Sequence, residues 1–212
     1  WTWTTRRVMR SIADADTNVV VALDGAGRLQ GFGIMSYADE EAHLALLAVG
    51  VKAGDEVVTV SHSYIATANV IRYCGAKPVF VDVEPGTFNL DPAKIASALT
   101  EHTRAILCVH QMGMPCDLRA ILDIAQRHSL PVVEDAACAI GSEILWHDQW
   151  EKIGRPHADI ACFSFHPRKV VSTGDGGMIT TGNSEWDSKF RLLRQHGMSV
   201  PDAVGHGASK VV

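Results

Sequence analysis

From residue 56 onward, short apolar runs rich in β-branched residues alternate with amphipathic stretches. The runs occupy 57–60, 79–83, 105–109, 132–133, 159–163 and 178–181. Runs that short and that continuously apolar suit strands buried on both faces. Strands alternating with helices predict an α/β fold, a mostly parallel sheet with helices on both faces. Asp91-Pro92 supplies an N-cap and a proline at the first helical position, predicting a helix over 93–100. Asp117 caps 118–128, where Leu118, Ile121, Leu122 and Ala125 share one face. Ser184 opens a further helix over 185–196, and Gly197 stops it.

The first fifty residues have a different rhythm. Asn18–Leu23 and Leu29–Met35, joined through Gly25 and Gly27, predict a β-hairpin. Residues 42–49 are either a helix stopped by Gly50 or a continuously buried strand; eight residues hold too few periods to separate the two. The chain has no low-complexity linker and no internal repeat.

Composition narrows the picture. A chain of 212 residues makes one sizeable α/β domain, or one domain plus a fragment. With 47% apolar and 20% charged residues, a packed core is expected rather than disorder. A net charge of −5 offers no basic face to a nucleic-acid backbone, so no such partner is expected. No apolar run approaches the ~20 residues that cross a bilayer, and no membrane partner is expected. The opening Trp1-Thr2-Trp3-Thr4-Thr5-Arg6-Arg7 leads into no apolar signal core, and the missing initial methionine fits a fragment. Five scattered cysteines without a C-x-x-C pair predict reduced thiols in a cytoplasm. None of the ten histidines sits in His-Glu-x-x-His, and no metal site is expected.

The chemistry concentrates in two places. Ser164-Phe165-His166-Pro167-Arg168-Lys169 sets one lysine between an apolar strand and a glycine-rich turn, Thr173-Gly174-Asp175-Gly176-Gly177. Upstream, Pro131-Val132-Val133-Glu134-Asp135 is a buried strand ending in carboxylates. An amine and a carboxylate at the ends of two strands of one sheet suit pyridoxal phosphate, which needs one on each side.

From about Leu44 to Gly197 the chain resembles the DegT/DnrJ/StrS sugar aminotransferases, pyridoxal-phosphate enzymes of fold type I. The matching pieces, in order, are Gly54-Asp55-Glu56-Val57-Val58, Tyr64 through Thr67 to Asn69, Gly75 through Asp82, Phe88 through Pro92, Glu134-Asp135, Phe163 through Lys169, Gly174 to Gly177, and Arg191 through Gly197. The resemblance implies that Lys169 is the catalytic residue, forming the Schiff base and moving the proton. It implies that Asp135 pairs with the pyridine nitrogen, that Ser164 holds the phosphate, and that Tyr64 stacks on the ring, although an aromatic there also suits a core. Cys138 stands where relatives often place glutamine or histidine, implying a contact with the ring's oxygen and no catalytic part. His166 either touches the phosphate or packs. Residues 146–155 read as an insertion, a surface loop beside the site.

Two departures stand out. Relatives carry Ser-Gly-Thr at the start of the first large-domain helix, cradling the phosphate; the aligned residues here are Tyr37-Ala38-Asp39, and a carboxylate there repels a phosphate. The family's members also run to about twice this length by resemblance, so residues 44–212 read as a C-terminally truncated large domain. Residues 1–43 weakly resemble the central strands of a GNAT acetyltransferase, without its Arg-x-x-Gly-x-Gly loop, and read as a hairpin fragment fused at a junction. The function implied is amino transfer from an amino acid, glutamate by resemblance, to a keto sugar nucleotide, in a homodimer. The alternative is an inactive fragment that keeps the fold without turnover.

Overall fold

In the computed structural model, residues 18–23, 29–35, 40–174 and 176–193 are described. Outside them lie Tyr37-Ala38-Asp39, the predicted hairpin turn, Asp175, the expected helix stop at Gly197 and both ends of the chain.

Six strands form the central sheet: β3 (Glu56–Val60), β4 (Lys77–Val81), β5 (Thr103–Val109), β6 (Val132–Asp135), β9 (Ile160–Ser164) and β10 (Gly177–Thr181). Their order is β10-β9-β6-β5-β3-β4, with β10 antiparallel to β9 and every other pair parallel. The expected α/β architecture is therefore present. The alternation along β5 shows why both faces need helices. Ala105 and Leu107 pack to one side, Ile106 and Cys108 to the other, and all four are buried. One face is covered by α3 (Pro92–Ala98) and α4 (Leu118–Arg127), which contribute Ile95, Leu118 and Ile121. The other is covered by α1 (Glu40–Ala48), α2 (Ala66–Tyr73) and α5 (Ser184–Leu193), through Leu46, Ile71 and Phe190. Each such fully buried side chain stabilises the fold by about 1.5–3 kcal/mol.

The helix boundaries follow local chemistry. Asp91 accepts from the Ala93 amide at 3.0 Å and Asp117 from the Ala120 amide at 3.1 Å, as expected. The last helix differs: its cap is Asn183, whose side-chain oxygen accepts from the amides of Glu185 and Trp186. The ambiguous stretch 42–49 is helical. Gly50 ends it at φ +88°, with amide bonds from Gly50 to Leu47 and from Val51 to Leu46.

The expected hairpin of β1 (Asn18–Leu23) and β2 (Leu29–Met35) is an antiparallel pair. It forms a two-stranded sheet of its own, with β1 running alongside β10 but not laddered to it. Residues 146–155 are not the expected surface loop. Through Lys152 they belong to a second hairpin, β7 (Glu143–Trp146) and β8 (Gln149–Lys152), whose two-residue turn has φ +46° at His147 and +64° at Asp148. Trp146 packs against the core beneath Arg119, whose guanidinium lies 5.3 Å from the ring.

Candidate active site

Parallel strands β3, β5, β6 and β9 all end at one edge of the sheet, and the loops leaving them enclose a cavity of about 470 Å³. Open α/β sheets place their ligand sites at that edge. Tyr64, Asp135, Cys138, Ser164 and Lys169, the five residues singled out from the sequence, all line this one cavity.

Asp135 is the last residue of β6, in register with Val109 of β5 and Cys162 of β9. Its carboxylate is half-buried and held from two directions. Oδ1 accepts from the Ala137 amide at 3.1 Å, and Oδ2 accepts from the Thr67 hydroxyl at 3.1 Å. Because Thr67 spends its proton on Asp135, the Ser63 hydroxyl, 2.7 Å away, donates to Thr67. The chain of donors Ser63→Thr67→Asp135 thus fixes the carboxylate from the first turn of α2. Charge-assisted bonds of this kind are the strong ones.

Lys169 sits on the loop after β9, in a turn closed by its amide to the His166 carbonyl at 2.9 Å. Its Nζ donates to Cys138 Sγ at 3.3 Å, so the amine from β9 and the thiol from the β6 loop meet in the cavity. Ser164 Oγ accepts weakly from the His166 amide at 3.4 Å, leaving its proton free for another acceptor. Tyr64 precedes α2 rather than lying on it, and with 68% of its surface exposed it is no core residue. His166 and Arg168 line the same cavity. Ala42, in the first turn of α1, reaches it from the far side, so that helix begins at the cavity wall. No residue of the β7–β8 hairpin lines it; just before β7, Ser142 Oγ donates to the Gly113 carbonyl at 2.7 Å.

A buried polar pair adjoins the cavity, whose lining includes His110. His110 Nε2 and Glu134 Oε2 are 2.8 Å apart, both side chains almost without exposure. The Cys116 amide donates to His110 Nδ1 at 3.0 Å, which makes Nδ1 the acceptor and puts the ring proton on Nε2, toward Glu134. The neighbouring Gln111, also in the lining, donates from its side chain to the His62 carbonyl. Sequence reasoning missed Thr67, Ser63, Gln111 and the His110–Glu134 pair. Only the one-turn spacing of Ser63 and Thr67 left a readable signal.

The donor set fits pyridoxal phosphate: an amine and a firmly held carboxylate share one cavity with a hydroxyl and an exposed aromatic ring.

The model of the DegT/DnrJ/EryC1/StrS aminotransferase family matches residues 38–209. The chain belongs to that family. Among its relatives, GDP-perosamine synthase of Caulobacter vibrioides is 49% identical over 156 residues, covering 74% of this chain and 41% of the relative. Among solved structures, this family member superposes on DesV of S. venezuelae, determined in complex with a ketimine intermediate. The TM-score is 0.72 at 33% identity, over 92% of this chain and 48% of that one. NtdA of Bacillus subtilis, with bound cofactor PMP, gives a TM-score of 0.71 at 36% identity, over 77% of this chain and 36% of that one. The chain spans about two fifths of the length of the curated relative.

Proposed function

We propose that this chain is the large-domain portion of a pyridoxal-phosphate-dependent sugar aminotransferase, moving an amino group from an amino acid, glutamate by family resemblance, to a keto sugar nucleotide. The observation that carries the reading is the convergence of Lys169 and Asp135, from adjacent strands β9 and β6, on one cavity. Pyridoxal phosphate, when bound, supplies an aldehyde for an amine and a ring that accepts electrons from a deprotonated carbon. Lys169 would hold it through Nζ and would serve as the acid and base for the proton moved there. Asp135 keeps the pyridine nitrogen protonated, and its two hydrogen bonds hold the carboxylate in place for that task. Tyr64 covers the ring, Ser164 donates to the phosphate, and Cys138 contacts the ring's oxygen.

Family resemblance and the exposed side chains of Tyr64, Ile65, Met112 and Val170 favour a homodimer in which a second subunit covers this face. Within residues 1–43 we read the β1–β2 hairpin as a separate segment, supported by its own two-stranded ladder and by the family match beginning at residue 38; residues 40–43 lie in α1, which packs with the large domain. The free thiols and resemblance favour a cytoplasmic enzyme.

A second reading is that the chain keeps the fold without turnover. Absorbance separates the two. Pyridoxal phosphate added to the purified chain should raise a visible band, and glutamate should then bleach it. A band that glutamate bleaches defeats the second reading; a band that glutamate leaves unchanged, or no band at millimolar cofactor, supports it.

A further inference from the structure

Cys138 stands apart from the other cysteines: Cys74, Cys108, Cys116 and Cys162 are buried, whereas Cys138 is exposed. It also has an unusual neighbour, the Lys169 amine at 3.3 Å across the cavity. The sulfur and the nitrogen come from different loops, after β6 and β9, and both face the open cavity. An exposed thiol is the one oxidants reach first, and a sulfenic acid condenses with a nearby nitrogen nucleophile.

We propose that Cys138 and Lys169 form an oxidative modification site, in which hydrogen peroxide joins Sγ to Nζ and takes the lysine out of use. In the first step the thiol sulfur attacks peroxide: an S–O bond forms, the O–O bond breaks and water leaves. In the second, Nζ attacks that sulfur: an N–S bond forms, the S–O bond breaks and a second water leaves. The sulfur is oxidised by two electrons and the peroxide is reduced by two. The linked chain has lost two hydrogen atoms, and a thiol reductant restores both side chains. The cross-link belongs to the cofactor-free chain and does not depend on the proposed function. Only its consequence does: a lysine bonded to sulfur cannot bond the cofactor.

The test uses the free chain, treated with peroxide and digested without reductant. Mass spectrometry should find the Cys138 and Lys169 peptides joined, short of two hydrogens, and released by dithiothreitol. In Lys169→Arg, whose guanidinium is a poor nucleophile, the sulfenic acid should persist and be trapped at Cys138 by dimedone, at several times the wild-type yield. A Cys138–Cys162 disulfide, equal dimedone labelling in both proteins, or an unmodified Cys138 would each overturn the proposal. Pre-incubation with pyridoxal phosphate should suppress the cross-link. If the cross-link forms but the cofactor gives no protection, the cofactor assignment fails and the modification site stands.

Discussion

Gly154 is a position where a single methyl group should do marked damage near the site. It follows β8 and carries φ +87°, and a Cβ built there lies 2.5 Å from Phe163 Cε2, with Cζ just as near. Phe163 has 3% of its surface exposed, sits in β9 one residue before Ser164, and lines the cavity wall. For Gly154→Ala, the left-handed backbone costs about 1–2 kcal/mol, and forcing a methyl group into a filled core costs about 1–3 kcal/mol more. The total is roughly 2–5 kcal/mol, by the same two contributions. Gly141 is the control. Its φ is +82°, but a Cβ there meets nothing within 4 Å, so Gly141→Ala suffers the backbone cost alone. Urea unfolding followed by tryptophan fluorescence, with linear extrapolation, measures both. The difference between the two variants isolates the clash with Phe163. If Gly154→Ala loses no more stability than Gly141→Ala, the packing of the hairpin end against β9 has been misjudged.

Other positions test separate links. Asp117→Ala removes the cap of α4 and should cost about 1 kcal/mol, read as a lower urea midpoint with an unchanged slope. Thr67→Val strands Asp135 Oδ2 and should weaken pyridoxal-phosphate binding by about tenfold, equivalent to 1.4 kcal/mol; Thr67→Ser should bind nearly as wild type, in the same absorbance titration. At Asp159, burial raises the carboxyl above its ordinary value of 3.8; the Val132 amide opposes the rise and Glu134 adds to it. An acid with a raised folded pKa stabilises most below its unfolded value, and that contribution is lost as pH rises from 3.8 through the folded value. Asp159→Asn keeps an acceptor for the Val132 amide but not the charge. Its stability relative to wild type should therefore grow across that window, and a constant difference would contradict the assignment.

The sheet was legible because residues such as Ile106, Leu107, Val132 and Val133 are apolar on both sides, a pattern only a doubly covered strand sustains. Asp91 and Asp117 were legible as caps because each stands immediately before its helix. Residues 42–49 were not decidable alone: the helix wins through the glycine end at Gly50 and through burial of Leu46 under the sheet, a tertiary effect. The β7–β8 hairpin escaped notice because His147-Asp148 lacks the glycine that usually marks a turn with two positive φ values. Little was hidden at Lys169 and Asp135, since Asp135 closes β6 and Lys169 stands on the loop that leaves β9. The His110–Glu134 pair was hidden entirely, because those residues lie 24 positions apart and meet only when β5 and β6 align. Thr67, similarly, reaches Asp135 across 68 positions.

The central claim is that one amine, Lys169 Nζ, takes up the cofactor. Pyridoxal phosphate should be added to the reduced, purified chain, the mixture treated with borohydride, and the digest mapped for the pyridoxyl mass. The adduct should lie on Lys169 and vanish in Lys169→Ala. An adduct spread over Lys52, Lys77 and Lys189, unchanged by that substitution, would contradict it.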